Sequence, residues 1–169
     1  MAAGSTYIPL ATSTVSGSST SQVIFSSISA SYTDLIVVVD GRFNATDNIT
    51  MQFNSDTGTN YSMVWAYSNG IPNSNYGCDK ATSRSNFFFD QRGYPDANNC
   101  LLTFYVMNYA NTNVYKTVLG KTGNPNNGIT MGTAVWRSTS AVNSIRLYTA
   151  GASNWQAGSI LTLYGIAAA

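Results

Sequence analysis

The segment FNSDTGTNYS, residues 53–62, gathers the side chains of this sequence that are best suited to chemistry. Asn54 and Asp56 offer amide and carboxylate oxygens at alternate positions, as a calcium-binding loop does. An EF-hand loop needs a third such ligand and a terminal Glu, and this chain contains no Glu. The same residues suit a hairpin turn, in which Asp56 accepts hydrogen bonds from backbone N–H groups and Gly58 supplies a positive φ. We favour the turn and keep calcium as the alternative.

Catalytic and metal-binding arrangements are limited by the residue types that the sequence lacks. There is no His, which excludes Ser-His-Asp and Cys-His catalysis and zinc sites built on His. Cys78 and Cys100 are too few for a four-thiolate zinc site, and we expect both to be reduced thiols. Glycosidases use a pair of facing carboxylates, but the seven Asp are scattered and no pair stands out. We therefore predict no enzyme activity, no catalytic residues, no cofactor and no metal.

Low charge and high β propensity dominate the composition. Charged residues make up 9% of the chain, against about 25% in a typical domain. Thr, Val, Ile, Tyr and Phe are frequent while Glu is missing, a composition that disfavours helix and favours strands. The net charge is +1 and the eight basic residues are dispersed, so no nucleic-acid partner is expected. The longest apolar run, residues 35–39, is too short to span a membrane, and no membrane partner is expected.

The alternation of apolar and polar residues predicts an all-β protein. We expect a single antiparallel β-sandwich with jelly-roll-like topology and about eight to ten strands. Residues 49–53 and 61–67 are predicted to pair as a hairpin around the segment FNSDTGTNYS. Period-two patterns and apolar runs between turn residues indicate strands over residues 22–28, 34–43, 49–53, 61–67, 101–109, 114–121, 129–136, 142–149 and 159–166. Residues 87–89 are predicted to be a short strand or an apolar loop anchor.

The domain organisation follows from where these patterns begin and break. Residues 1–20 are predicted to form a short N-terminal arm, and residues 21–169 to form the sandwich. Residues 68–86 show little alternation and contain turn-forming steps, so we predict a long loop there. Residues 35–39 are apolar at successive positions, which predicts a strand in the middle of a sheet covered from both sides.

Three aromatic residues, Trp65, Tyr67 and Tyr76, flank the predicted long loop. Exposed aromatic rings among Asn and Asp side chains would suit stacking on a sugar. Most aromatic residues of a sandwich belong to its core, and both interpretations stay open from the sequence.

The landmarks of the chain occur in an order that resembles a family of small virion structural proteins of tailed bacteriophages, especially those of cyanobacterial and other aquatic hosts. Related β-sandwich domains close longer tail-fibre chains. The resemblance extends from Ser21 to Ile166 and is weakest over residues 71–99. It rests on YTDL at residues 32–35 with Arg42, FNSDTGTNYS at 53–62, NYANTNVYKT at 108–117, Trp136, AVNSIRLY at 141–148 and GSILTLYGI at 158–166.

This resemblance implies a non-enzymatic role on the phage particle. The implied function is that of a capsid decoration, or cement, protein that binds the outer shell and stabilises the capsid lattice. Its partners would be the major capsid protein and further copies of itself, as a homotrimer. It would be made in the host cytoplasm and located on the capsid exterior of the virion. Within the arm, we expect Tyr7, Ile8 and Leu10 to contact capsid or neighbouring subunits.

The alternative function is a tail-fibre or tail-associated adhesin domain that binds host surface glycan. In that case Trp65, Tyr67 and Tyr76 would contact the sugar, and the virion location would be the tail.

Overall fold

Two antiparallel β-sheets contain all the strands in residues 6–17, 20–69, 76–88 and 96–167, which are the residues that the computed structural model describes. These residues include no helix, and thus none long and apolar enough to cross a bilayer. The twelve strands are β1 (Tyr7–Thr14), β2 (Gln22–Phe25), β3 (Asp34–Gly41), β4 (Ile49–Phe53), β5 (Tyr61–Ser68), β6 (Tyr76–Arg84), β7 (Phe87–Phe88), β8 (Cys100–Met107), β9 (Lys116–Asn124), β10 (Gly128–Trp136), β11 (Ile145–Thr149) and β12 (Ile160–Ile166).

The sheets differ in size and pack as a sandwich. The larger sheet has eight strands in the order β1-β12-β3-β8-β9-β10-β5-β6, and the smaller has the order β2-β11-β4-β7. From β1 to β5 every connection crosses from one sheet to the other, so that chain neighbours seldom pair. The predicted all-β sandwich of jelly-roll type is confirmed, with twelve strands rather than eight to ten.

Aromatic rings fill the space between the sheets. Trp136, Phe53 and Phe87 are at most 2% exposed, and the Phe53 ring meets the other two edge-on at centroid distances of 5.5 and 5.2 Å. Edge-to-face pairs of this kind are favourable beyond their burial. At another part of the core, Trp155 meets Phe43 edge-on at 4.5 Å. The two sheets are therefore joined by ring contacts that require strands from both.

The predicted arm over residues 1–20 is wrong for residues 7–14, because these form β1. This strand pairs antiparallel with β12 and makes one edge of the larger sheet. A β-bulge between Pro9 and Ala11 shifts the register, which interrupts the alternation that would have indicated a strand. Residues 1–5 and 18–19 of the predicted arm lie outside the described residues.

The predicted loop over residues 68–86 is also wrong in its second half. Residues 76–84 form β6, which pairs with β5 and makes the other edge of the larger sheet. Most of β6 is exposed, so its sequence carries no apolar alternation to indicate a strand. Residues 70–75 of the predicted loop lie outside the described residues.

The predicted hairpin of residues 49–53 with 61–67 does not form. β4 pairs with β11 and β7 in the smaller sheet, whereas β5 pairs with β10 and β6 in the larger one. The segment FNSDTGTNYS is therefore a corner at which the chain passes from one sheet to the other. Local pattern cannot distinguish a hairpin from such a corner, because both join two short strands by polar turn residues.

Candidate functional site

The carboxylate of Asp56 is the centre of the corner between β4 and β5. Its Oδ1 accepts a 2.8 Å hydrogen bond from the backbone N–H of Gly58. Its Oδ2 accepts hydrogen bonds from Asn60 Nδ2 at 2.9 Å and from the indole Nε1 of Trp136 at 2.6 Å. Both oxygens thus face hydrogen-bond donors. These surroundings are those of a structural carboxylate rather than of a cation ligand.

The pKa of Asp56 agrees with that assignment. Burial alone would raise the pKa, but the hydrogen bonds from Asn60, Trp136 and Gly58 outweigh it and hold the pKa below its ordinary value. In the described part of the chain, no group of three or more Asp, Cys, Glu or His side chains is placed to hold a metal ion. The calcium interpretation of this segment gains no support from the geometry.

Asp56 accepts a backbone N–H in the turn as the sequence predicted, but the positive φ lies at other residues than Gly58. Asn54 and Ser55 have φ of 51° and 56°, and Gly58 does not have a positive φ. Asn tolerates the left-handed region because its short side chain bonds the local backbone. In this corner the Asn54 side chain instead bonds a distant segment: it donates to the carbonyl of Ala141 at 2.8 Å and accepts from the N–H of Asn143 at 2.9 Å. The corner is consequently fixed to the connection between β10 and β11.

The aromatic residues proposed for a glycan do not come together. Trp65 is 4% exposed and belongs to the core, and Tyr67, two residues along the same strand, packs against that core. Tyr76 is exposed and lies opposite Ser68, on the outer side of the sheet. Because successive side chains of a strand alternate between its faces, Trp65 and Tyr67 share the inner face and Tyr76 does not.

The residues proposed for a capsid or subunit contact belong to β1. Tyr7 is exposed, Ile8 is half-buried, and Leu10 is half-buried against the core. They therefore form part of a sheet edge instead of a free arm. Tyr7 is the member of this group that remains accessible to a partner.

A feature that the sequence analysis missed is an apolar surface on the outer side of the larger sheet. Five large apolar side chains there, each 47–60% exposed, form what we call the apolar face. The outer side of an antiparallel sheet is normally polar when water covers it, and contiguous exposed apolar surface marks a site of interaction. The apolar face consists of Val64 on β5, Leu101 on β8, Leu119 on β9, and Ile129 and Met131 on β10.

The strand register makes the apolar face continuous and uneven. Leu101 and Ile129 lie on either side of Gly123, which has no side chain, so a recess separates two protruding residues. Val64 and Leu119 lie on either side of Thr133. The trough lined by Val64, Leu119 and Met131 has a volume of about 710 Å³, and the recess between Leu101 and Ile129 is a separate one of about 310 Å³. Lys121 is the one charged residue among the outward positions of β5, β8, β9 and β10.

The prediction that residues 35–39 lie inside a sheet covered from both sides is right about position but wrong about cover. β3 is an interior strand, with β12 and β8 as neighbours. On its outer side, Ile36 is 8% exposed and lies between Tyr105 and Tyr164 of the adjacent strands. Aromatic neighbours within the sheet supply the cover, and no second layer of described residues does so.

Cys78 and Cys100 are both thiols, as predicted. Cys78 is exposed on β6, at the margin of the trough, whereas Cys100 is buried on β8. Burial raises the pKa of the Cys100 thiol to about 12, so this sulfur is not a nucleophile near neutral pH.

Comparison with known proteins identifies no family for the chain. No family model matches the chain, and no curated protein matches it. Among solved structures, the galectin LEC-6 of Caenorhabditis elegans is similar at 10% identity, with 96% of each chain covered and a TM-score of 0.33. A likeness at that score carries no argument about the function of this chain.

Proposed function

We propose that this protein is a bacteriophage virion structural protein, a capsid decoration protein that binds the outer shell and stabilises the capsid lattice. The observation that carries the proposal is the apolar face, because a non-enzymatic protein needs a surface by which it joins an assembly. The resemblance of residues 21–166 to small virion proteins suggests that this assembly is a phage particle. The partners would be the major capsid protein and further copies of the chain as a homotrimer, on the exterior of the virion.

The apolar face is large enough to contribute to such binding. Complete burial of one Leu, Ile, Val or Met side chain contributes about 1.5–3 kcal/mol. The five residues of the face are about half exposed, so covering them would contribute on the order of 5 kcal/mol per copy. Part of this offsets the entropy lost on association. Repeated over many copies, the remainder would raise the free energy required to open the shell.

The charge of the surface predicts how binding should respond to salt. The charged side chains beside the face are Lys121, Lys80 opposite Val64 and Asp40 opposite Leu101, and their small net charge gives only weak electrostatic attraction. Screening by salt should therefore leave the affinity nearly unchanged.

Binding of recombinant protein to purified particles from which it has been removed tests the proposal. The double variant Leu119→Asp/Met131→Asp should lose at least about tenfold in affinity, since two charges would be buried in the contact. Ile24→Asp is the matched control, because Ile24 is equally exposed but lies on β2 of the other sheet. Full occupancy by the double variant would contradict the proposed role of the apolar face.

The alternative, a tail-fibre or tail-associated adhesin that binds host surface glycan, keeps the apolar face as its attachment surface. Its glycan site would have to lie elsewhere than at Trp65, Tyr67 and Tyr76, since two of these face the core. Copies per particle distinguish the two functions, because a shell protein repeats over the whole lattice and a tail protein does not.

A further inference from the structure

A small polar pocket lies where the smaller sheet meets the end of β6 at the edge of the larger sheet. It has a volume of about 250 Å³, slightly less than the ~300–1,000 Å³ of sites for drug-sized ligands. Three separate segments line it, so the fold is needed to assemble it. The polar pocket is lined by Asn48, Thr50, Arg84, Asn86, Phe88, Tyr148 and Ala150.

The floor of the polar pocket holds two hydrogen-bonding atoms without a protein partner. Thr50 is 2% exposed, and its hydroxyl is buried without a hydrogen bond. The side-chain oxygen of Asn48 is likewise buried without a hydrogen bond. Buried polar atoms are nearly always paired, so two unpaired atoms lining one pocket indicate a place for an incoming polar group.

The wall contains an arginine that is held in position by an aromatic ring. The Arg84 guanidinium lies over the ring of Phe88, with its Cζ 5.2 Å from the centroid, and it has no carboxylate partner among the described residues. Arg146, which lies over the neighbouring Tyr148, differs because it donates to Gln22 at 2.7 Å and Gln52 at 3.2 Å. Arg84 is therefore the cation that remains available to a ligand.

The remaining wall residues offer groups that suit hydroxyls and an apolar ring face. Asn86 donates to the hydroxyl of Tyr148 at 3.0 Å, which orients both side chains toward each other at the rim. Tyr148 and Phe88 add aromatic surface beside these amides. Such a mixture of amide, hydroxyl, aromatic ring and guanidinium matches a ligand that is rich in hydroxyls and carries negative charge.

We propose that the polar pocket binds a saccharide unit bearing a carboxylate, with one sugar ring in the pocket. The carboxylate pairs with the guanidinium of Arg84, which presents paired donors to planar anions. Sugar hydroxyls bond Asn86 and, at the floor, Asn48 and Thr50. No residue of the apolar face lines the pocket, so a copy attached to a particle by the apolar face keeps the pocket open. The inference does not depend on the proposed function.

Titration of isotope-labelled protein with glucuronic acid, followed by NMR, tests the site. The side-chain amide signals of Asn48 and Asn86 should shift saturably with glucuronic acid and much less with glucose or inorganic phosphate. Equal shifts with phosphate would reduce the site to an anion contact, and equal shifts with glucose would remove the role of Arg84. Either result, or no shift with any probe, would overturn the proposal.

Two variants assign the shifts to the pocket. Arg84→Ala should weaken glucuronic acid binding by about tenfold or more, because it removes a charged donor, whereas Arg42→Ala removes an equally exposed charge elsewhere and should have no effect. Thr50→Val keeps the side-chain volume and removes an unpaired buried hydroxyl, so it should weaken binding without lowering the melting temperature. Unchanged binding in both pocket variants would overturn the assignment.

Discussion

The indole nitrogen of Trp136 donates a 2.6 Å hydrogen bond to the carboxylate of Asp56, 80 residues earlier in the chain. Trp136 is 2% exposed and its ring contacts Phe53 and stacks on Tyr61. Tyr61 in turn accepts a hydrogen bond from the N–H of Phe53 at 3.2 Å through its hydroxyl. One carboxylate thereby joins the corner of the smaller sheet to the core side of the larger one.

We predict that Asp56→Asn lowers the free energy of unfolding by about 1.5–3 kcal/mol, the usual contribution of hydrogen bonds to a charged group. The amide nitrogen of Asn would face donors where the carboxylate accepts. Chemical denaturation of the variant measures the effect. Asp40→Asn is the control, because Asp40 is exposed on β3 and its change should stay within about 0.5 kcal/mol. Additivity of Asp56→Asn with Trp136→Phe would contradict a direct coupling between the two residues.

Stability should fall in acid, and two carboxylates should account for part of the fall. Hydrogen bonds hold the pKa values of Asp56 and Asp96 below their ordinary value, despite burial that would raise them. A carboxyl whose folded pKa is lowered contributes stability above its unfolded pKa and loses it as the pH falls through the folded value. The loss should therefore begin below about pH 4.

Unfolding free energies measured from pH 2 to pH 6 test this expectation. Asp56→Asn should show a shallower dependence on pH in the acidic range than the unmodified protein, since one of the linked protons is removed. The same slope in both proteins would show that Asp56 is not one of the groups responsible.

The strands that the sequence predicts correctly are those that bury one face. In β11, Ile145, Leu147 and Thr149 are buried while Arg146 and Tyr148 are half-buried, and this pattern is visible in the sequence as alternation. Edge strands β1 and β6 bury little and show no such pattern. Alternation of apolar and polar residues therefore indicates strands that bury one face, and it does not indicate exposed edge strands.

The two candidate surfaces could not be predicted, for a different reason. Leu119 and Met131 are visible as apolar residues, but the sequence does not say which of two apolar sides of a strand meets the core. The polar pocket takes Asn48, Arg84 and Tyr148 from strands or turns that are distant in sequence. Their proximity depends on strand order, which local patterns do not encode.

Thiol labelling should separate the two cysteines. Cys78 is exposed and should react with a maleimide or a disulfide reagent under native conditions. Cys100 is buried, and burial raises the pKa of its thiol to about 12, so it should react only after unfolding. The expected mass corresponds to one label per chain in buffer and to two labels per chain in denaturant. Cys78→Ser should abolish the label that is added under native conditions. A native label on Cys100 would show that β8 opens to solvent.

The ammonium of Lys116 is buried and is held by backbone carbonyl groups in place of a counter-ion. Lys116 is fully buried, and its Nζ donates to the carbonyls of Asn111, Val114 and Thr139 at 2.7, 2.8 and 3.1 Å. Burial lowers the pKa of this ammonium. Its three donors are satisfied, and they hold the β8–β9 connection against the chain that follows β10.

Lys116→Met should therefore destabilise the protein by about 3 kcal/mol, because three carbonyls lose a charged donor, while removal of a buried charge offsets only part of the loss. Lys80→Met is the control, since Lys80 is exposed on β6 and should change stability by less than about 0.5 kcal/mol. Thermal and denaturant unfolding of both variants provides the measurement. If Lys116→Met were as stable as the unmodified protein, the carbonyls would have to be satisfied without the ammonium, and Lys116 would not be what fixes the two connections together.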